Sequence, residues 1–467
     1  MSDKHVKDLT SGAPMRLVLS FMLPLLFGML FQQFYSMVDT VVVGKFLGVQ
    51  ALAGVGSTGS ISFLVLGLCN GVCAGFAIPV ALKFGQRDYD GLRKFVGNMI
   101  WLCAAFALLV TLLTTLLCRR ILGWMQTPED TFSYAYNYIF VIFLGIPATM
   151  LYNLLSGIIR SLGDSKTPLY FLIFSSLLNV ALDLAFILGL HMGVAGAGWA
   201  TLLSQLISGA LCLVYMAKHF PILRLKKSDL QLERYYAGYL LNMGLPMGLQ
   251  YSVTAIGSIL LQTAVNGLGS TVMAAMTAGN KVSLLATCPY EAIGSTAATF
   301  SGQNLGAGKP DRVHRGVLSC AALGIVYSAL VFTALYFWGG NLSGLFLDTA
   351  DAQTAATILP LSRRYLVTIS AFYVPLLFVN LLRFTIQGLG FSNLAVAAGV
   401  MEMVARGVFG LCLVPYLGFD AVCFASPAAW IMADAFLFPA YFYCMKKRGY
   451  RPKKHPAARA VEIKTEG

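Results

Sequence analysis

Buried charge is where this sequence offers chemistry. Long apolar runs contain the acidic residues Asp39, Asp183, Glu291, Glu402 and Asp434 and the basic residues Lys281 and Arg406. An ionisable side chain at the centre of a membrane helix costs ~2.5–3.5 kcal/mol on insertion scales, so each one demands a reason. Asp39 closes the stretch Gln32-Gln-Phe-Tyr35-Ser-Met-Val-Asp39. Steps of three and four residues put Gln32, Tyr35 and Asp39 on one helical face. Pro24, earlier in the same run, removes a backbone hydrogen bond and lets the helix bend. A bendable helix that carries a titratable carboxylate is a coupling device; the plainer alternative is an interface residue at a helix mouth.

Asn179 and Asp183 are four apart and share a face of the fifth apolar run. Thr201 begins the sixth. Asp39, Asp183 and Thr201 fall at similar depth, away from the termini, so carboxylates of the first and fifth helices can converge. Two carboxylates in one dry site cannot both stay ionised cheaply. Such a pair takes up a proton or, with neutral Asn and Thr oxygens, a hard cation such as Na⁺. The alternative for Asn179 and Asp183 is interhelical hydrogen bonding that only holds the bundle together. In the second half, Glu402 and Arg406 are four apart and can neutralise each other, while Glu291 follows Pro289 as a second protonatable group or a partner for Arg406. Lys281 lies off the face of Glu291, and Asp434 has no assigned role. Tyr35, Tyr136 and Tyr138 stand near the acidic residues and offer π-faces to a planar cation.

The elements that must position these residues are membrane helices. The chain is 57% hydrophobic and 11% charged, with a mean hydropathy of +0.73, outside the range of ordinary soluble domains. Its apolar runs exceed the ~20 residues a helix needs to cross a bilayer core, and they lack the alternation of barrel strands. Spans are expected at 17–40, 51–81, 95–118, 133–158, 167–190, 194–217, 237–265, 272–301, 316–338, 359–386, 393–415 and 421–444. With both termini cytoplasmic, the inside collects Lys4, Lys7, Arg16, the 83–94 cluster, Arg160, Lys166, the 218–234 loop, Lys309, Arg312, Arg315, Arg383 and the C-terminal tail. The outside holds Lys45, Arg119, Arg120, Arg363 and Arg364. The net charge of +13 is therefore read as the positive-inside rule and not as a nucleic-acid surface.

Other chemistries find little support. The ten cysteines sit mostly in apolar runs without paired ligand spacing, and the five histidines are scattered, so no metal cage or cofactor site is visible. No small-residue cleavage site follows a short apolar core, so the first span is expected to be retained. The segment Gly302-Gln-Asn-Leu-Gly-Ala-Gly-Lys309-Pro imitates a phosphate loop. It has one residue too many before Gly-Lys, a following proline, and a membrane helix where a strand belongs. No nucleophile–base cluster suggests an enzyme.

The chain also repeats itself. Leu47-Gly48, Phe84-Gly85 and the Asp90–Lys94 charges return about 221 residues later as Leu268-Gly269, Leu305-Gly306 and Asp311–Arg315. Likewise Arg160-Ser-Leu-Gly163-Asp-Ser returns as Gln387-Gly-Leu-Gly390-Phe-Ser. Six spans precede the copy, so both halves enter the membrane in the same sense. A pseudo-two-fold axis along the membrane normal, with a cavity between the halves, is the expected result. The expected units are an N-terminal lobe (1–218), a linker (219–236), a C-terminal lobe (237–445) and a basic tail (446–467).

These residues resemble the multidrug and toxic compound extrusion (MATE) family. The resemblance is carried by Pro24 through Asp39-Thr-Val-Val-Val-Gly44, Phe84-Gly85, Leu305-Gly-Ala-Gly308-Lys, Gly163-Asp-Ser-Lys-Thr-Pro168, and Asn179 with Asp183. It implies an all-α, V-shaped polytopic protein of twelve helices in two six-helix bundles. It further implies alternating access and export of cationic or amphipathic compounds against H⁺ or Na⁺, with Asp39, Asn153, Asn179, Asp183 and Thr201 as the coupling-ion site. Gln32, Tyr35, Tyr136, Tyr138 and Glu291 would line the substrate cavity. A flippase for lipid-linked sugars is the rival reading; it calls for a cationic cavity, whereas the first-half buried charges are acidic. Expected surroundings are the cell (inner) membrane and its lipids, with small organic cations as cargo and the single chain as the working unit.

Overall fold

The computed structural model describes residues 8–346 and 352–450. Lys4, Lys7 and the tail beyond residue 450 lie outside them. Among the described residues there is helix and no strand, as backbone groups in hydrocarbon require. Twelve helical stretches follow in order: α1 (Pro14–Leu47), α2 (Val49–Ser57 continuing as Gly59–Gln86), α3 (Tyr89–Trp124), α4 (Glu129–Leu144 and Ile146–Ser161), α5 (Lys166–Leu184), α6 (Val194–His219), α7 (Arg234–Asn266), α8 (Ser270–Gly306), α9 (Pro310–Gly344), α10 (Ala352–Ala371 and Tyr373–Gly388), α11 (Ser392–Gly407, extended to Leu417) and α12 (Phe419–Lys447). The two halves of α4 meet at 46°, and those of α10 at 51°.

Among the described residues nine single helices are long and apolar enough to cross a membrane, and the two bent pairs raise the number to eleven. The helix left out is α8, whose sequence is rich in Thr, Ser, Gly and Asn. It packs against α1, α2, α9 and both halves of α10. A helix screened from lipid by its neighbours needs no strongly apolar surface, so its polar residues are available for the interior.

Two buried cores organise the bundle. One gathers side chains of α2, α3, α4 and α6, such as Phe76, Phe95, Phe143 and Ile158. The other gathers α8 to α12, including Tyr290, Phe300, Tyr373 and Leu437, and it also takes in Val18, Phe21, Met22 and Leu25 of α1. From Gly28 onward α1 also meets α5, where Gly28 leaves room for Leu172, while Met29 is the last α1 side chain packed on the second core. The first helix thus crosses from one lobe to the other between Pro24 and Met29. The segment joining the lobes straps onto α3: Asn98 receives the Glu233 N–H at 2.9 Å, and the Trp101 indole donates to the Leu230 carbonyl at 2.8 Å.

Repeated glycines mark repeated turns. Gly48 and Gly269 have φ of 87° and 98°, and Gly163 and Gly390 have 90° and 88°. That left-handed region strains any residue with a Cβ, which explains why these positions recur as glycine in both halves.

Where the described residues begin and end, near Leu9 and Tyr450, at what we call the basal end, the halves meet intimately. A Cβ on Gly85 would sit 2.0 Å from the Gln303 carbonyl oxygen, and one on Gly306 2.1 Å from that of Leu82. Higher up, Gly75 of α2 touches Gly244 of α7 backbone to backbone, and Gly71 touches Gly248. Gln303 stitches the seam: its amide donates to the Ser161 carbonyl at 2.8 Å and accepts from the Leu9 N–H at 3.1 Å.

Candidate functional site

The acidic residues of α1 and α5 come together at the distal end of the N-terminal lobe. Asp39 is 9% exposed, Asn179 1% and Asp183 0%, so all three are withdrawn from lipid and bulk water. The carboxyl groups of Asp39 and Asp183 lie within electrostatic range of each other. α1 runs on to Leu47, two turns past Asp39, so this residue lies inside the helix and not at its mouth. Asn179 donates its amide N–H to Thr201 Oγ1 at 3.3 Å. One oxygen of Asp39, both of Asp183 and the amide oxygen of Asn179 are buried without a donor among the described residues. Oxygens that only accept, gathered in a dry pocket, repel one another until a proton or a hard cation joins them. The hydroxyl groups of Tyr35 and Tyr138 lie within electrostatic range of both aspartates.

Below this pocket, towards the basal seam, a cavity of about 330 Å³ opens between the lobes. Gln32, Tyr35, Asn153, Thr201, Gln205 and Glu291 line it, and Pro24 forms part of its wall. Tyr35 and Thr201 therefore belong to both spaces, which makes them the link between the acidic pocket and the cavity. Asn153 sits in the cavity wall with its amide donating to the Thr149 carbonyl at 2.9 Å.

Several expectations need correction. Tyr136 is not at the cavity: it stacks on Phe140 and lies under the Arg119 guanidinium, 5.3 Å from its ring centre. It is two positions from Tyr138, and on a helix that step turns it to the opposite side. Lys281 is exposed, with its ammonium over the Phe346 ring at 5.8 Å, and joins neither buried charge cluster. Glu291 does not pair with Arg406. Arg383 is not a loop residue but is buried in an ion pair with Glu402, which also holds Arg406 at 3.2 Å. Asp434 lies within electrostatic range of that triad. Arg160, expected in an inside loop, lines the cavity instead. Among the described residues no group of three or more His, Cys, Asp or Glu could hold a metal ion.

A family model described as MatE matches residues 24–185 and 246–411, which together span most of both halves. The chain belongs to the MATE family. MATE proteins are transporters built into membranes, so this chain is a membrane transporter and not an enzyme. It is 29% identical over 401 residues to the probable multidrug resistance protein YpnP of Bacillus subtilis, covering 85% of each chain. It is 27% identical over 338 residues to the probable multidrug resistance protein YoeA of the same organism, covering 71% of this chain and 73% of that one. A solved structure titled as the outward-facing conformation of a multidrug resistance MATE transporter matches 97% of this chain and 100% of its own, with a TM-score of 0.89 at 21% identity. That last likeness shows that the MATE fold is shared.

Two site features of this MATE protein escaped the sequence. Arg160 and Arg383 follow apolar runs closely enough to be counted as loop charges, and only the bends in α4 and α10 carry them inward. For Arg160 one signal was present: its repeat counterpart is Gln387, so a single half keeps a cation at that register.

Proposed function

We propose that the protein exports cationic or amphipathic toxic compounds across the cell membrane in exchange for H⁺ or Na⁺. The observation that carries this reading is the Asp39–Asp183 pair, buried with acceptor oxygens that lack donors and joined through Tyr35 and Thr201 to the cavity between the lobes. The basal end is the cytoplasmic one, because it collects the basic loops. The basal seam is then shut and the cavity faces outward. An ion that settles between the aspartates removes their repulsion and draws α1 towards α5. Pro24, where α1 leaves one lobe for the other, is where the helix bends in response. Tyr35 moves with α1 and reshapes the cavity, so ion and cargo compete through a conformational equilibrium. The chain works as a monomer in this scheme, since its own two halves enclose the cavity. The relatives named as multidrug resistance proteins favour this reading over a lipid-linked sugar flippase.

The test is uptake of a fluorescent cation into proteoliposomes under an imposed pH or Na⁺ gradient. Asp39→Asn should abolish gradient-driven transport while the protein still purifies as a folded monomer. Whichever gradient drives wild-type transport identifies the ion. Normal transport by the Asp39→Asn protein would end the proposal.

A further inference from the structure

Among the described residues the cavity wall carries one acid and one base, Glu291 and Arg160. Arg160 closes α4 one residue before Ser161, whose carbonyl accepts the Gln303 amide in the basal seam. Arg160 therefore sits at the cavity floor, and its guanidinium turns back beside Gly157, 3.9 Å from where a Cβ there would stand. The ionisable groups within electrostatic range of it are Tyr152, Cys212, Cys73 and Tyr251, none of them a carboxylate. The nearest acid in sequence, Asp164, is committed to its own turn, accepting from Lys166 N–H at 3.0 Å, Thr167 N–H at 3.0 Å and the Thr167 hydroxyl at 2.6 Å. No carboxylate among the described residues forms an ion pair with Arg160. Glu291 projects from α8 in the other lobe, is exposed to the cavity, and likewise has no ion-pair partner among the described residues. Tyr251 of α7 lies within electrostatic range of both.

The contrast with the rest of the membrane interior is sharp. Arg383 and Arg406 are buried and share Glu402. A guanidinium left unpaired in a central cavity repels every simple cation that enters and offers a planar fork of donors to a carboxylate or phosphate. A cavity specialised for plain cations has no use for it.

We propose that the cavity selects soluble amphiphiles that carry an anionic group beside a cationic one. The carboxylate or phosphate seats on Arg160 at the floor, and the cationic portion faces Glu291 across the cavity. This rests on the exporter reading for the site and narrows its cargo from organic cations to organic zwitterions. Arg160 is then a specificity-determining residue with no part in ion coupling.

Rhodamine B and its ethyl ester isolate the question, since both carry the same delocalised cation and only the first has a carboxylate. Binding to the purified full-length protein in neutral detergent, followed by fluorescence polarisation without any gradient, should favour rhodamine B by roughly tenfold. Arg160→Gln should erase that preference while still binding the ester, which shows the cavity intact; Arg160→Lys should retain part of it. A wild-type protein that prefers the ester, binds neither dye, or keeps its preference after Arg160→Gln overturns the proposal. Phosphatidylglycerol, but not phosphatidylcholine, displacing rhodamine B from the wild type alone would assign Arg160 to a lipid headgroup and overturn the soluble-cargo form. The assay involves no coupling ion. Loss of the dye preference with Asp39→Asn still uncoupled defeats only the zwitterion proposal, whereas an intact preference with normal Asp39→Asn transport defeats only antiport.

Discussion

Replacing Gly85 with alanine puts one methyl group into the tightest point between the lobes. That Cβ would stand 2.0 Å from the Gln303 carbonyl oxygen, 2.7 Å from its carbon and 2.9 Å from its Cα. All three are backbone atoms, so no side chain can rotate out of the way. Ordinary contact begins near 3.4 Å, so the helices must part locally by about 1.4 Å. Overpacking of this kind typically costs about 1–3 kcal/mol, and here the absence of a flexible neighbour favours the upper end. The cost falls on the conformation with the basal seam closed and vanishes once the lobes separate there. It therefore moves the equilibrium towards the basally open form by roughly 5- to 150-fold.

Pulsed electron spin resonance between labels at the exposed positions Arg87 and Arg315 reads the seam directly. Of the ten cysteines only Cys412 is exposed, so its replacement leaves a background in which the two labels dominate. Gly85→Ala should bring in a longer distance component, and Gly306→Ala should match it, because a Cβ there meets the Leu82 carbonyl oxygen at 2.1 Å. Gly56→Ala, where a Cβ meets nothing within 4 Å, should leave the distribution unchanged. Distances in both seam variants indistinguishable from wild type would refute the idea that this contact holds the basal side shut.

Glu402→Gln leaves the Arg383 and Arg406 guanidiniums buried at 6% and 7% exposure without their shared counter-charge. Denaturant unfolding in detergent should show a loss of about 3–5 kcal/mol, and a loss under 1 kcal/mol would count against the triad. Gln303→Ala strips partners from the Leu9 N–H and the Ser161 carbonyl, at about 1–3 kcal/mol for each group left dry. Hydrogen exchange at Leu9 should rise; unchanged protection would mean the segment is held by Asn304 and Arg312 alone. Asp88 caps α3, accepting from the Gly91 N–H at 2.9 Å and the Lys83 ammonium at 2.5 Å. The Lys83 hydrogen bond, with that of Gly91, keeps its carboxyl below the usual carboxylate range. A depressed value in the folded state means the contribution is complete above the unfolded value of about 3.9 and fades as pH falls through the folded one. Asp88→Ala should thus cost about 1 kcal/mol between pH 5 and 8 and progressively less below pH 4; an equal cost at pH 3 would show that the ionised cap is not the cause.

Much of the architecture was legible because a bilayer leaves few choices. Long apolar runs had to be helices, and the order of twelve followed. The convergence of Asp39 and Asp183 was legible from spacing alone, because four-residue steps define faces and depth follows from direction of travel. What escaped was whatever a bend decides. The 46° turn in α4 aims Arg160 into the cavity, and Arg383 likewise enters a buried pair in the second half of the bent α10; counting positive charges treats both as loop residues. Tyr136 was misplaced for the opposite reason: proximity in sequence to Tyr138 said nothing of which side of α4 it occupies. Lys281 shows the limit of reading depth without facing, since a long side chain near the distal rim reaches outward over Phe346.

The internal repeat turns out to have a mechanical meaning that its sequence did not announce. Gly85 meets Gln303, and Gly306 meets Leu82. Gly306 is the repeat counterpart of Gly85, and Gln303 is that of Leu82, so these are one contact written twice about the pseudo-two-fold axis. The position on the axis itself pairs Ala81 with its own counterpart Gly302, where a Cβ would lie 3.2 Å from the alanine methyl. A two-fold seam of this kind is isologous, as in a symmetric dimer. Every adverse or favourable change at the glycine is therefore felt by both halves unless it is made in only one. Small residues at these registers bring two helix ends, α2 and α8, into backbone contact without long side chains between them. Contact of that sort has no intermediate setting: the backbones touch or they are apart. A seam made of two identical close approaches accordingly behaves as a latch with two positions, and α1, which crosses the lobes just above it at Pro24, is placed to feel which one is taken.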